Sequence, residues 1–138
     1  MIRLSKNATD AQIVEAVEQW VRLLAAGDYR GAFELTDHGP DDHLTPEVIR
    51  TLIRNYGSIE PMKDGSVYRV TEPREAVVVD VTPRPQIERF SDGPPDYLGY
   101  VHYDLPLNGR WSDLTAVFTL TLAECGALTL ALDEIHVL

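Results

Sequence analysis

His102, Asp104, Asp113 and His136 are the residues whose types and spacing could do chemistry in this chain. An imidazole held by a carboxylate is the usual apparatus of general acid-base catalysis, with His102 as base and Asp104 or Asp113 orienting it. The same side chains offer mixed nitrogen and oxygen ligands, so His102, Asp113 and His136 form a candidate set for a divalent metal. No glycine-rich nucleotide loop, zinc-finger spacing or nucleophile motif accompanies them, and no cofactor is implied. A solvated sheet face accounts for the same residues without any function.

Whether the four meet depends on strand register. Asn108-Gly109 predicts a two-residue hairpin turn, because a type I′ turn needs positive φ at both central positions. Leu107 then pairs with Arg110, which sets Asp104 opposite Asp113 and His102 opposite Thr115. Pro106 could instead enforce a four-residue turn, leaving Asp113 opposite His102. Both registers gather His102, Asp104 and Asp113 on one face and put Val101, Tyr103, Leu114 and Ala116 on the other. In the next hairpin a three-residue turn, Glu124-Cys125-Gly126, aligns Leu122 with Leu128, Leu120 with Leu130 and Phe118 with Leu132. A bulge at Asp133-Glu134 is then needed to return Ile135 and Val137 to the apolar side. His136 lands beside Thr115, about 10 Å from His102 at about 5 Å per strand. Tyr100, Trp111 and Thr115 share this outer face as candidate partner-binding residues, since aromatic side chains are common interface hot spots.

Helices precede the sheet. Ile13, Val14, Val17, Val21 and Leu24 recur at helical spacing over Asp10 to Ala26, behind a Thr9/Gln12 capping box. Asp28 caps a second helix through Leu35, and Thr45 caps a third, with Pro46 at its first position and Gly57 at its stop. From Gly65 the period becomes two, predicting strands at Val67 to Glu72, Glu75 to Thr82, Leu98 to Leu105, Arg110 to Ala123 and Ala127 to Leu138. The proline-rich stretch Pro83 to Tyr97, with Phe90 and Tyr97 as apolar anchors, is long enough to be a flap or a mobile loop. The segment Asp37-His38-Gly39-Pro40-Asp41-Asp42-His43 is dense in possible ligands but lacks helical or calcium-loop spacing, and reads as a polar connection. Helices followed by strands imply α+β architecture with a mainly antiparallel sheet, in one domain over residues 1–138.

This element order, with Trp20-Val-Arg-Leu-Leu-Ala-Ala-Gly-Asp-Tyr29 followed by Ala32-Phe33, resembles the NTF2-like, cystatin-related superfamily of helix-plus-curved-sheet cones. The resemblance spans nearly the whole chain. It implies a cone-shaped fold, and because the superfamily holds isomerases, dehydratases and binding subunits, it implies no single activity.

The chain has 138 residues, 22 acidic against 12 basic, for a net charge of -10. That balance repels phosphate backbones and anionic lipid, so neither nucleic acid nor membrane is an expected partner. Cys125 is the only cysteine, which excludes an internal disulfide. No apolar run resembles a signal peptide or a membrane span, and a cytoplasmic protein is expected. Taken together these features predict a bacterial-type binding or protein-interaction module that forms a homodimer through its sheet face, with a protein partner or small molecule as its ligand. The competing expectation is a small-molecule enzyme, an isomerase, dehydratase or metal-assisted hydrolase. Small size and acidity also fit an immunity or inhibitor protein of a basic partner.

Overall fold

Three helices, each begun by a side-chain cap, lie ahead of an open four-stranded antiparallel sheet in a computed structural model that describes residues 1–38, 42–78 and 85–137. Helix α1 spans Asp10–Ala25, α2 Tyr29–Leu35 and α3 Pro46–Arg54. Thr9 and Gln12 form the expected capping box. Asp28 accepts the Gly31 amide proton and Thr45 that of Val48, satisfying amides that a helix start leaves without partners. Strands β1 Gln86–Arg89, β2 Tyr97–Leu107, β3 Arg110–Leu122 and β4 Leu128–Val137 lie side by side in that order.

The apolar stripes of all three helices pack with one face of the sheet in a single core. Trp20 of α1 meets Phe118 of β3 edge-on, ring centroids 5.0 Å apart. The leucine ladder stands in the expected register, with Leu122 opposite Leu128, Leu120 opposite Leu130 and Phe118 opposite Leu132. Beyond it the register shifts between Phe118 and Val117, so that Asp133 is the extra residue of a bulge and Ile135 is buried again. Val137 departs from expectation: it lies at the end of the ladder, 46% exposed.

The first hairpin combines a correct turn with an unforeseen bulge. Asn108 (φ 50°) and Gly109 (φ 84°) make the two-residue turn, and Leu107 pairs with Arg110. After Pro106↔Trp111 the register slips, and Asp104 pairs with Thr115 and His102 with Val117. Neither expected pairing of Asp113 forms. Ser112 stabilises the irregularity, because its hydroxyl donates to the Leu105 carbonyl at 2.6 Å and accepts the Leu114 amide.

Two other expectations change. Val67–Glu72 and the described part of Glu75–Thr82 do not form ladder strands; they meet the sheet at the isolated bridges Val70↔Leu107 and Val77↔Arg110 and through side-chain bonds of Asn108 and Thr71 at the hairpin turn, around a short 3₁₀ turn at Pro73–Glu75. Pro73 has no amide proton to give a ladder, and Val67 and Val77 stay exposed. Residues 79–84 lie outside the described residues. Conversely, the proline-rich stretch contains β1, whose Ile87 packs against the core while its backbone pairs with β2. Gly99 permits that pairing: a Cβ there would sit 2.1 Å from the Glu88 carbonyl oxygen. Phe90 and Tyr97 stack on each other, centroids 5.2 Å apart, and close the loop between β1 and β2.

Candidate functional site

The face of the sheet away from the helices carries Glu88 of β1; Tyr100, His102 and Asp104 of β2; Thr115, Val117, Thr119 and Thr121 of β3; and Thr129, Glu134 and His136 of β4, with Asp133 at the bulge. Its polar groups are largely bonded to one another. Asp104 accepts the Thr115 hydroxyl proton at 2.8 Å, Asp133 accepts that of Thr119, and the Thr121 and Thr129 hydroxyls join at 2.6 Å. Thr115, Thr119 and Thr129 are buried, so these bonds supply the partners that sequestered hydroxyls require. At the margins Tyr100 donates to Glu88, and His136 Nδ1 meets Glu134.

The sequence-predicted residues divide. Thr115 and His136 are neighbours as expected, but Asp104, not His102, stands opposite Thr115 on the other side. His102 sits two pairs further along, opposite Val117, partly exposed, with its ring 4.8 Å from that of Tyr100. No hydrogen bond joins His102 to Asp104 or Asp113 among the described residues, so the carboxylate that would orient a base is not in contact. Asp113 leaves the group: the bulge brings it to Tyr56, just past α3, whose hydroxyl it accepts. Trp111 leaves as well, packing edge-on to the buried Tyr103 at 6.1 Å on the helix side. Among the described residues no three His, Cys, Asp or Glu side chains stand close enough to hold a metal ion, which separates His102, Asp113 and His136 as a ligand set.

Local electrostatics follow from these contacts. Partial burial of the phenol, then its bond to the Asp113 carboxylate, raises the Tyr56 pKa above its ordinary value. For Tyr100 the chief cause of a raised pKa is the bond to Glu88. Asp133 is raised chiefly by desolvation, with the charges of Glu134 and Asp42 adding to it and the Thr119 bond opposing. The residue as a whole is exposed, but its carboxylate end is held against Thr119 and loses water there.

Sequence reasoning missed three acids of this face, Glu88, Asp133 and Glu134. Glu88 was hidden in what read as a loop, Asp133 lies outward by simple alternation after Leu132, and Glu134 comes to this face only because of the bulge; the parity change after Leu132 was the available signal. The 37–43 segment forms local bonds in its described part: His38 stacks on Phe33 with centroids 3.7 Å apart and meets Asp42, whose own amide-bonded carboxylate caps Leu44. Gly39, Pro40 and Asp41 lie outside the described residues. No described helix is long and apolar enough to cross a membrane. Comparison of the chain with protein-family models, curated proteins and solved structures gives no match.

Proposed function

We propose that this chain is a binding domain of NTF2-like type that docks a cationic protein surface on the outer face of its sheet. The observation that carries this reading is the charge of that face. Glu88, Asp104, Asp133 and Glu134 lie on it, whereas the only Lys or Arg residues in the four strands are Arg89, which reaches Asp10 on α1, and Arg110 at the hairpin turn. Complementary charge speeds encounter and selects partners, and wrong partners of like charge are disfavoured by several kcal/mol. The internal pairing of the threonine and aspartate groups adds a second support. Covering this face strands few polar groups, because most already have partners.

That same pairing works against catalysis, since a carboxylate spent on a buried hydroxyl is not orienting an imidazole. It also bears on self-association. Two copies joined through this face would oppose their carboxylates, and the aromatic pair expected to anchor a homodimer is reduced to Tyr100 once Trp111 packs inward. An NTF2-like cone is supported by the helix-then-sheet order and by register shifts in the long β3, since bulges bend a sheet.

The test compares Asp104→Asn/Glu134→Gln with a control of equal charge loss elsewhere, Glu15→Gln/Glu60→Gln. Cross-linking of the whole chain in lysate, read by mass spectrometry, should yield partner links on β2 and β4 that the first variant loses and the control keeps. Links insensitive to both variants overturn the reading. Sedimentation equilibrium of the isolated chain is expected to give a monomer; a dimer abolished by His102→Glu would replace the basic partner with a second copy.

A further inference from the structure

A cleft of about 490 Å³ opens where the end of α1, the start of α2, α3 and the segment 67–70 meet, and three arginines line it: Arg50, Arg54 and Arg69. Arg50 and Arg54 stand one helical turn apart on the same face of α3, where like charges repel. Position at the helix C-terminus favours Arg54 through the helix dipole, but that effect reaches only the last turn and has no bearing on Arg69. In a chain of net charge -10, carboxylates are plentiful. Among the described residues Arg22, Arg74 and Arg89 have carboxylate partners; the three cleft arginines do not, and neither do Arg3, Arg30 and Arg110 outside the cleft. Asp28, beside the cleft, is occupied with the Gly31 amide at the start of α2.

The remaining lining fits an organic body. Tyr29 and Tyr68 line it, and the buried Leu24 and Val70 form apolar wall. Tyr68 is held in place by its backbone bond to the Arg54 carbonyl and by the ring of Tyr56, centroids 4.9 Å apart. The volume lies in the range of sites that enclose small ligands, about 300–1,000 Å³.

We infer that this cleft binds a small organic phosphate monoester with an aromatic or apolar body. Guanidinium groups match phosphate oxygens in paired hydrogen bonds, and several cations lining one cleft favour a dianion over a monoanion. A long polyanion is not the ligand, because the acidic remainder of the surface repels it. This site is separate from the sheet face and stands or falls independently of it.

Isothermal titration of the full chain at low ionic strength with phenyl phosphate, benzoate and phenol tests the inference. Phenyl phosphate is expected to bind saturably at one per chain and to weaken as salt rises, with benzoate at least about tenfold weaker and phenol without measurable binding. Arg50→Gln and Arg69→Gln should each weaken phenyl phosphate about tenfold, as expected for losing a charge-assisted hydrogen bond. Arg74→Gln, elsewhere on the surface, should bind as the parent does. Thermal unfolding of each variant, matching the parent, establishes that the fold is intact. Absence of saturable phenyl phosphate binding overturns the inference, as does benzoate binding equally well or equal affinity in the folded Arg50 and Arg69 variants.

Discussion

Asp133 concentrates at one position the difference between a reactive and a structural carboxylate. It bulges out of β4, accepts the Thr119 hydroxyl and has its pKa raised, chiefly by lost hydration. Below its ordinary value of 3.8 both folded and unfolded chains hold the proton, and the group costs nothing. As pH rises through that value the unfolded chain ionises first, so stability falls until the folded pKa is passed. Asp133→Asn keeps an acceptor for Thr119 and removes the charge. It is therefore expected to raise the Tm at pH 7, with the gain shrinking to nothing near pH 3, as followed by circular dichroism. A variant less stable than the parent at pH 7 would show that the charge is favourable where it sits.

At the scale of elements, β1 exists through its neighbour. Its sequence, Gln-Ile-Glu-Arg, has one apolar residue, and its backbone is ordered by β2 across Gly99. Gly99 has φ +152° and no room for a Cβ, so Gly99→Ala must separate the two strands or distort them. Strain and overpacking of this kind cost about 1–3 kcal/mol. Hydrogen exchange should show the amides of Gln86–Arg89 losing protection while those of β3 and β4 keep theirs. Uniform loss across the sheet would mean that β1 is integral to the core. Helix starts and the leucine hairpin were legible because a cap, a period or a turn residue acts within a few positions. β1 was not, because its stabilising partner is supplied by a strand more than ten residues away.

For the whole molecule, stability rests on the layer between α1 and the sheet centre. Phe118 is fully buried there against Trp20 and opposite Leu132. Phe118→Ala should cost about 3–5 kcal/mol, measured by urea denaturation. A loss below about 1 kcal/mol would mean that the core can collapse around the vacancy. Two surfaces of opposite character flank this core: an acidic sheet face and an arginine-lined cleft at the helix ends. The first was half legible, since alternation along β2 and β3 placed His102, Asp104 and Thr115 together in either of the two expected registers. A slip of two residues preserves the face of every side chain beyond it, and the observed slip is of that kind.

By itself the sequence determined the three helices, the three long strands β2 to β4, the Asn108-Gly109 turn, the leucine ladder and the bulge at Asp133, all consequences of local propensity and parity. Only the tertiary structure decided that Asp113 joins Tyr56, that Trp111 packs on Tyr103, and that Arg69 lines one cleft with Arg50 and Arg54. Those outcomes depend on how helix ends and strand bends share space. A residue's neighbours in the chain do not encode that directly; it is settled when the apolar layers close and every remaining side chain takes the position that closure leaves.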